Sequence, residues 1–139
     1  MARKALHELE QFARARLAAE QHPQARHVFQ PFACERCGPA PFALRIEHHS
    51  GTQPGNFRGV IWGRCAQCGT EQRLFSFTGV HRRPQRVEVP RCRCGHASFL
   101  AGECLRFEGE DGLPGFFDES VVVGRCAHCG RQRAFVYTD

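Results

Sequence analysis

The heptapeptide GRCAQCG at residues 63–69 returns at residues 124–130 as GRCAHCG, with a single letter changed. Each copy holds two cysteines that are separated by two residues and followed by glycine. A further cysteine pair precedes each copy, in CERCG from Cys34 and in CRCG from Cys92. A chain of 139 residues thus carries the same arrangement of cysteines twice, which indicates an internal duplication.

The segments around the cysteines also repeat in order. Each half reads as a cysteine pair, a strand, a loop, a second strand, a second cysteine pair and a third strand. By sequence, the third strands match as RLFSFT and RAFVYT, which begin at Arg73 and Arg133. The predicted strands cover residues 42–47, 60–62 and 73–78 in the first half and 99–108, 121–123 and 133–137 in the second.

The repeated cysteine pairs have the chemistry of metal ligands. A tight turn closed by glycine brings two thiolates and the backbone amides together, and two such turns complete a tetrahedral site. Paired turns that occur in tandem are a specific signal, whereas a single pair would be a weak one. The predicted ligands are Cys34, Cys37, Cys65 and Cys68 at the first site and Cys92, Cys94, Cys126 and Cys129 at the second.

The third pair departs from this pattern, because one residue instead of two separates Cys92 from Cys94. His96 or Cys104 could therefore replace a ligand of the second site. We favour Cys104 as a buried apolar residue on a strand, which is the common state of a free cysteine. The remaining histidines of interest are predicted to face solvent or to lie in turns, without binding metal: His48, His49, His81 and His128.

The four cysteine motifs, joined in pairs through predicted hairpins, resemble the zinc ribbon superfamily. The resemblance covers about residues 32–79 and 87–138, and it implies a three-stranded sheet around each zinc ion. We expect a small, mainly-β, metal-stabilised fold in which an N-terminal α-helix precedes two tandem three-stranded zinc ribbons, with two Zn²⁺ per chain. The expected divisions are a helix and connection at 1–28, ribbon 1 at 29–79, a basic linker at 80–89 and ribbon 2 at 90–139.

Residues 2–21 are rich in helix-forming residues and end at His22-Pro23, which supplies a stop. Leu6, Leu9, Leu17 and either Phe12 or Ala13 fall roughly on one face of this helix. The simpler interpretation packs that face on the rest of the chain. The alternative is a helix for dimerisation or for docking to a partner protein.

The N-terminal twenty residues mix charge and alanine and lack the apolar core of a signal peptide. No run of about 18 apolar residues occurs either. We therefore expect a cytoplasmic protein without membrane contact. In a reducing compartment, nine closely spaced cysteines favour metal binding over disulfides.

The formal net charge of +5 is typical of proteins that bind nucleic acid. Each zinc ion with four thiolates contributes −2, however, so two sites lower this charge to about +1. The distribution of charge is more informative, because five arginines lie between residues 82 and 93 while acids concentrate between 103 and 119. The predicted nucleic-acid contacts are Arg82, Arg83 and Arg86 in the connector, together with Arg73 and Arg133; a solvated linker is the simpler alternative.

No serine or cysteine lies in a recognisable catalytic sequence motif, so we expect neither enzymatic activity nor a small-molecule substrate. Nucleic-acid bases stack on aromatic side chains, but a small ribbon needs a hydrophobic layer, which favours core packing for the strand aromatics. These aromatics are Trp62, Phe75, Phe77, Phe135 and Tyr137.

The sequence therefore predicts a non-enzymatic zinc-binding module that binds DNA or RNA or acts within a nucleic-acid-processing assembly. One alternative is a protein-docking adaptor that uses the N-terminal helix and the acidic second hairpin. A third interpretation is an electron carrier that resembles rubredoxin, in which two similar cysteine turns place four thiolates around one iron.

Overall fold

A computed structural model of the chain describes residues 2–21, 23–49, 56–77, 83–107 and 119–138. In this part of the chain one α-helix, α1 (Ala2–Arg16), and a 3-10 turn at Ala19–Gln21 precede the strands. The prediction of a mainly-β fold with one N-terminal helix is confirmed. The strands are β1 (Arg26–Pro31), β2 (Ala33–Cys34), β3 (Gly38–Pro39), β4 (Phe42–His48), β5 (Gly59–Cys65), β6 (Glu71–Phe77), β7 (Arg86–Glu88), β8 (Ser98–Phe107), β9 (Glu119–Cys126) and β10 (Gln132–Thr138).

The main sheet joins both repeats in the strand order β10-β9-β8-β4-β5-β6. Repeat 1 contributes β4, β5 and β6, and repeat 2 contributes β8, β9 and β10. The two sets meet where Phe42 on β4 lies opposite Phe99 on β8. These residues hold the same place in the two repeats, since Phe42 also pairs with Cys65 and Phe99 with Cys126. Antiparallel pairing of equivalent strands relates the repeats by an approximate two-fold axis through the middle of the sheet.

Two strands that the sequence did not indicate strengthen this junction. β1 lies ahead of repeat 1 but pairs with β8 of repeat 2, from Arg26 opposite Phe107 to Pro31 opposite Gly102. β7, within the basic connector, pairs with β4 of repeat 1. Each repeat is therefore preceded by a short strand that pairs with the first strand of the other repeat, and these two strands, β4 and β8, lie at the middle of the sheet.

The larger hydrophobic core lies on one face of the sheet. Strands from both ends contribute to it, with Phe75 on β6 and Val136 on β10 in the same cluster. The amide of Phe57 donates a hydrogen bond of 2.8 Å to the carbonyl of Tyr137, so the sheet curls until its two halves approach each other. The fully buried side chains at the centre of this core include Phe42, Ile46, Ile61, Phe99 and Val122.

Helix α1 covers the opposite face of repeat 2. Leu9, Ala13 and Leu17 are buried there against Cys104, Val121 and Val123. The predicted apolar face of the helix is thus buried within the chain, at about 1.5–3 kcal/mol of stabilisation for each large side chain. The helix ends earlier than predicted, because Ala18 adopts a left-handed conformation with φ of 52° before the 3-10 turn. Among the described residues, no helix combines the length and the apolar character needed to cross a membrane.

Repeat 1 carries different residues on the face that α1 covers in repeat 2. Cross-strand pairing places Arg45, Trp62 and Arg73 in one row across β4, β5 and β6. The equivalent row in repeat 2 is Gly102, Val123 and Ala134, which are small or apolar. We call the face of repeat 1 that contains Arg45, Trp62, Arg64 and Arg73 the outer face.

Candidate metal centres

The two cysteine groups are built from four turns that each end in glycine, of which the one at Cys92 is shorter by one residue. A glycine follows the second cysteine of each turn, and all four of these glycines have positive φ, between 75° and 95°. An L-residue with a side chain rarely adopts this conformation, which explains the glycine in every copy. The four glycines are Gly38, Gly69, Gly95 and Gly130.

The first group brings together the four cysteines predicted for it. Their sulfur atoms all lie within 4.8 Å of one another, and Cys34 Sγ is 3.6 Å from Cys68 Sγ. Four sulfurs bound at about 2.3 Å to a tetrahedral zinc ion would lie about 3.8 Å apart, so the spacing suits a metal of this size. Backbone amides of Arg36 and Gln67 each point at a sulfur, at 3.4 Å from Cys34 and Cys65 respectively.

The second group also forms as predicted, and it includes Cys94 from the shortened turn. The four sulfurs again lie within 4.8 Å of one another. Cys92 Sγ is 3.4 Å from Cys129 Sγ, and Cys94 Sγ is 3.6 Å from Cys126 Sγ. These separations far exceed the disulfide bond length of about 2.05 Å, and all the cysteines are free thiols.

The first group does not favour four simultaneous thiolates on its own. Hydrogen bonding with Cys68, followed by burial, raises the pKa of Cys37 to about 12. Hydrogen bonds from the hydroxyl and amide of Thr70 instead lower the pKa of Cys68 to about 6. Neighbouring sulfurs therefore compete for negative charge, which a bound cation would relieve. The donor set, its spacing and its electrostatics all fit a metal ion, and each group could hold one.

Cys104 lies outside both groups, as predicted. Its side chain is fully buried under α1, between Val121 and the apolar helix residues. Burial raises the pKa of the Cys104 thiol to about 11, so this thiol stays protonated at neutral pH.

His96 lies beside the second group without belonging to it. Its Nδ1 atom is 3.5 Å from Cys94 Sγ, and its ring stacks on that of His128 with the centroids 3.7 Å apart. The four cysteines already complete the group, so His96 is placed to hydrogen-bond the sulfur of Cys94. Both histidines are exposed, and no equivalent pair occurs at the first group, where Gln67 takes the place of His128.

His48, the last residue of β4, and His49, which follows it, were predicted to face solvent or to lie in turns without binding metal, and both are partly buried. The side chains of His48 and His49 are only 17% and 14% exposed. His48 Nε2 contacts Glu88 Oε1 at 3.2 Å and so ties β4 to β7. Neither residue lies in a metal-binding group of the described chain, and His81 lies outside the described residues.

The arginines predicted to contact nucleic acid occupy separate surfaces. Arg73 is exposed on the outer face, while Arg83 and Arg86 are exposed in and beside β7. Arg133 is exposed at the start of β10. Arg82 lies outside the described residues, as do residues 78–81 and the centre of the acidic second hairpin.

Arg73 and Arg133 are not structural equivalents, although their sequences match. Arg73 pairs with Trp62, whereas Arg133 pairs with Gly124, the counterpart of Gly63. The residue opposite Gly63 is Gln72, so Gln72 is the equivalent of Arg133. A shift of one residue reverses the face of a strand residue, and Arg73 and Arg133 accordingly face opposite sides of the sheet.

Sequence reasoning placed Trp62 in the core, whereas its side chain is partly buried on the outer face. Phe75 packs in the main core, and Phe77 and Phe135 pack against it, as predicted. Trp62 instead lies on the outer face, where Arg45 Cζ is 5.6 Å from its ring centroid and its Nε1 donates a 3.0 Å hydrogen bond to Glu47. A comparison of the two repeats could have indicated this, because Trp62 stands where repeat 2 has Val123. Its cross-strand neighbours are arginines in repeat 1 and small residues in repeat 2.

The two cysteine groups in a mainly-β fold are compatible with zinc-ribbon-like sites. Comparison of the chain with protein-family models, with curated proteins and with solved structures finds no match.

Proposed function

We propose that each cysteine group holds one Zn²⁺ and that the chain is a tandem zinc ribbon protein. The support is a complete set of four thiolate donors at each site, held by two glycine-closed turns. Four protein ligands leave no open position for a substrate or a water molecule, which is typical of structural zinc. We therefore propose a non-enzymatic, cytoplasmic module whose metal ions stabilise the fold. Iron is the rival metal, and the visible absorption of an iron–thiolate centre would reveal it.

We further propose that this module binds DNA or RNA through the outer face of repeat 1. The observation that carries the proposal is the row Arg45–Trp62–Arg73 on three adjacent strands. A base can stack on an indole ring while guanidinium groups contact the flanking phosphates. Among the described residues, α1 packs on the equivalent face of repeat 2, so we propose the outer face of repeat 1 as the one that receives the ligand.

The charges on this face support binding of an anion at one position in particular. Glu71 contacts Arg45 at 3.2 Å and Arg64 at 3.8 Å, which engages these two arginines. Arg73 is exposed and forms no ion pair or hydrogen bond with another residue in the described ranges. It is therefore free to contact a phosphate beside Trp62.

Tryptophan fluorescence tests this proposal directly, since Trp62 is the only tryptophan of the chain. We expect a single-stranded oligonucleotide to quench the fluorescence at low salt. Arg73→Gln should weaken binding and flatten the slope of log affinity against log salt by about 0.7, the value for one phosphate contact on a single strand. Arg3→Gln, an exposed change on α1, is the control. A wild-type signal that no oligonucleotide alters at low salt would contradict the proposal.

The connector is proposed to add phosphate contacts beside the same sheet. Changing Arg82, Arg83 and Arg86 together to glutamine should lower the salt slope by about two without releasing zinc. An unchanged slope with native metal content would remove the connector from the interface.

A protein-docking adaptor is the second candidate. The apolar face of α1 is buried within the chain, but Val87 and Val89 are 50% and 63% exposed on and beside β7. Within the described residues β7 pairs with β4 alone, so its other edge could receive a partner strand. Recovery of a partner that resists nuclease treatment and is lost in a Val87→Lys variant would favour this candidate.

A further inference from the structure

A cleft of about 400 Å³ opens beside the second cysteine group. Its volume lies within the range of small-ligand sites, roughly 300–1,000 Å³. We propose that this arginine cleft binds a phosphate group, carried either by a nucleic acid or by a small phosphorylated compound. The cleft is lined by Arg91, Cys92, Arg93, Phe99, Arg131 and Arg133.

Four positive charges converge on the cleft, and no carboxylate is among the described residues that line it. All four arginines are exposed. Within the described residues, Arg93 and Arg131 form no hydrogen bond or ion pair with another residue. The guanidinium group presents a planar fork of donors that matches a phosphate, so two free arginines supply the main anchoring groups.

The other two arginines are partly engaged by neighbours. Arg91 Nη1 donates a 2.9 Å hydrogen bond to the carbonyl of Gly95, which holds the side chain near the shortened turn. Arg133 reaches Glu88 at the long distance of 3.9 Å, and its guanidinium lies 4.8 Å from the ring centroid of Phe135. These contacts orient both cations but leave donors available to a ligand.

The aromatic ring of Phe99 at the base of the cleft should strengthen the binding of an anion. Phe99 is 1% exposed and packs edge-on against Phe135, with the ring centroids 5.3 Å apart. Charge–charge interactions strengthen where apolar groups displace water, so an anion over this ring interacts more strongly than on an open surface.

Charge balance at the metal centre does not explain these arginines. A zinc ion with four thiolates carries a net −2, which nearby cations would offset. The first group has the same four thiolates, yet Thr70 and Gln72 occupy the positions equivalent to Arg131 and Arg133. Ala33 likewise precedes Cys34 where Arg91 precedes Cys92. The fold and its metal centre thus form without arginines at these positions, and their presence in repeat 2 points to a ligand.

The cleft extends the proposed function to a second, separate surface. Where a nucleic acid supplies the phosphate, the inference rests on that function; where a small compound supplies it, the inference stands alone. Arg133 and Trp62 face opposite sides of the sheet, so variants of the cleft leave the outer face intact.

The test uses the full zinc-loaded chain and inorganic phosphate as the probe, titrated against chloride at constant ionic strength. The key variant combines Arg131→Thr and Arg133→Gln, which are the residues that the same positions hold in repeat 1. The control combines Arg3→Gln and Arg16→Gln, which remove two exposed charges from α1. We expect phosphate to bind the wild type beyond chloride, at least tenfold more weakly to the key variant and unchanged to the control, with native metal content in all three.

A parallel titration with a single-stranded oligonucleotide identifies the source of the phosphate. A weaker affinity of the key variant, with the salt slope flattened by about 1.5, assigns the phosphate to a nucleic acid. An unchanged oligonucleotide affinity beside lost phosphate binding assigns it to a small compound. Absence of phosphate binding beyond chloride in the wild type, or equal binding by the key variant, would overturn the inference, while quenching of Trp62 reports separately on the outer face.

Discussion

Phe42 lies directly opposite Phe99, its counterpart in the other repeat, at the point where β4 pairs with β8. Both rings are almost completely buried in the main core, at 0% and 1% exposure. The two repeats therefore share the main core, while α1 and repeat 2 form a second, smaller cluster. The common core stabilises both repeats, since a unit of about 50 residues buries little apolar surface on its own.

The shared main core makes Phe99 a central determinant of stability. We expect Phe99→Ala to lower the free energy of unfolding by about 3–5 kcal/mol, because it opens a cavity that β4 and β8 both line. Phe107→Ala is the matched control at the partly exposed end of the same strand, and it should cost less than half as much. Equal losses in denaturant titrations of the two variants would contradict a core centred on the junction.

The same junction predicts that the repeats unfold together. Cys65→Ser removes a buried cysteine of the first group, and on our proposal it should release one metal ion. It should also destabilise repeat 2 against local opening, because β4 of repeat 1 pairs with β8 of repeat 2 in the common sheet. Hydrogen exchange of β9 amides measures this effect. Native protection of β9 in the variant would show that the repeats are independent.

Cys104 and Cys94 should differ in their effect on metal content. Cys104→Ser should keep both metal ions and lose about 1–3 kcal/mol of stability, since it buries a hydroxyl group under α1. Cys94→Ser should lose the second ion. Metal analysis of the purified variants compares them, and the opposite pattern would make Cys104 the ligand.

Glu103 gives the fold a dependence on pH. Burial raises the pKa of this carboxyl to about 7, and it lies between Gln30 and Val122 on the neighbouring strands. A raised pKa means that the native state holds the proton more tightly than the unfolded state, so the contribution of Glu103 is favourable below its unfolded pKa and is lost as the pH rises through 7.

Glu103→Gln should therefore stabilise the protein at pH 8 by up to about 3 kcal/mol, and this advantage should shrink as the pH falls towards 4.5. Denaturant titrations of both proteins across this range measure the difference. A difference that does not change with pH would contradict the burial of an ionisable carboxyl here.

The cysteine groups could be predicted from the sequence because their determinants are local. A metal-binding turn needs two cysteines and a glycine within a few residues, and the duplication showed how the turns combine. Strands β4 to β6 and β8 to β10 could be predicted from the alternating or apolar stretches of sequence that lie beside the cysteine pairs. Cys104 could be set aside because it stands alone on a strand.

The pairing between the repeats could not be predicted, because it depends on contacts distant in the chain. β1 and β7 are short, and Arg86–Glu88 carries charge, so these segments resemble connections until β8 and β4 provide partners. The predicted alignment of the third strands was wrong by one residue. It was based on the similar sequences that begin at Arg73 and Arg133 and not on their spacing from the cysteines. Arg73 lies one residue further from Cys68 than Arg133 lies from Cys129. This difference in spacing would have shown that the two arginines lie on opposite faces of the sheet and that Arg73 shares the outer face with Trp62.

The most direct test of the proposed metal centres is the elemental content of the natively purified chain, measured with its fold before and after chelation. We expect two zinc ions per chain and loss of the sheet when both are removed, since apparent zinc-binding free energies of about 10 kcal/mol or more exceed what so small a core supplies. One metal ion per chain, iron as the main metal, or a sheet that survives complete chelation would contradict the assignment of two structural zinc sites.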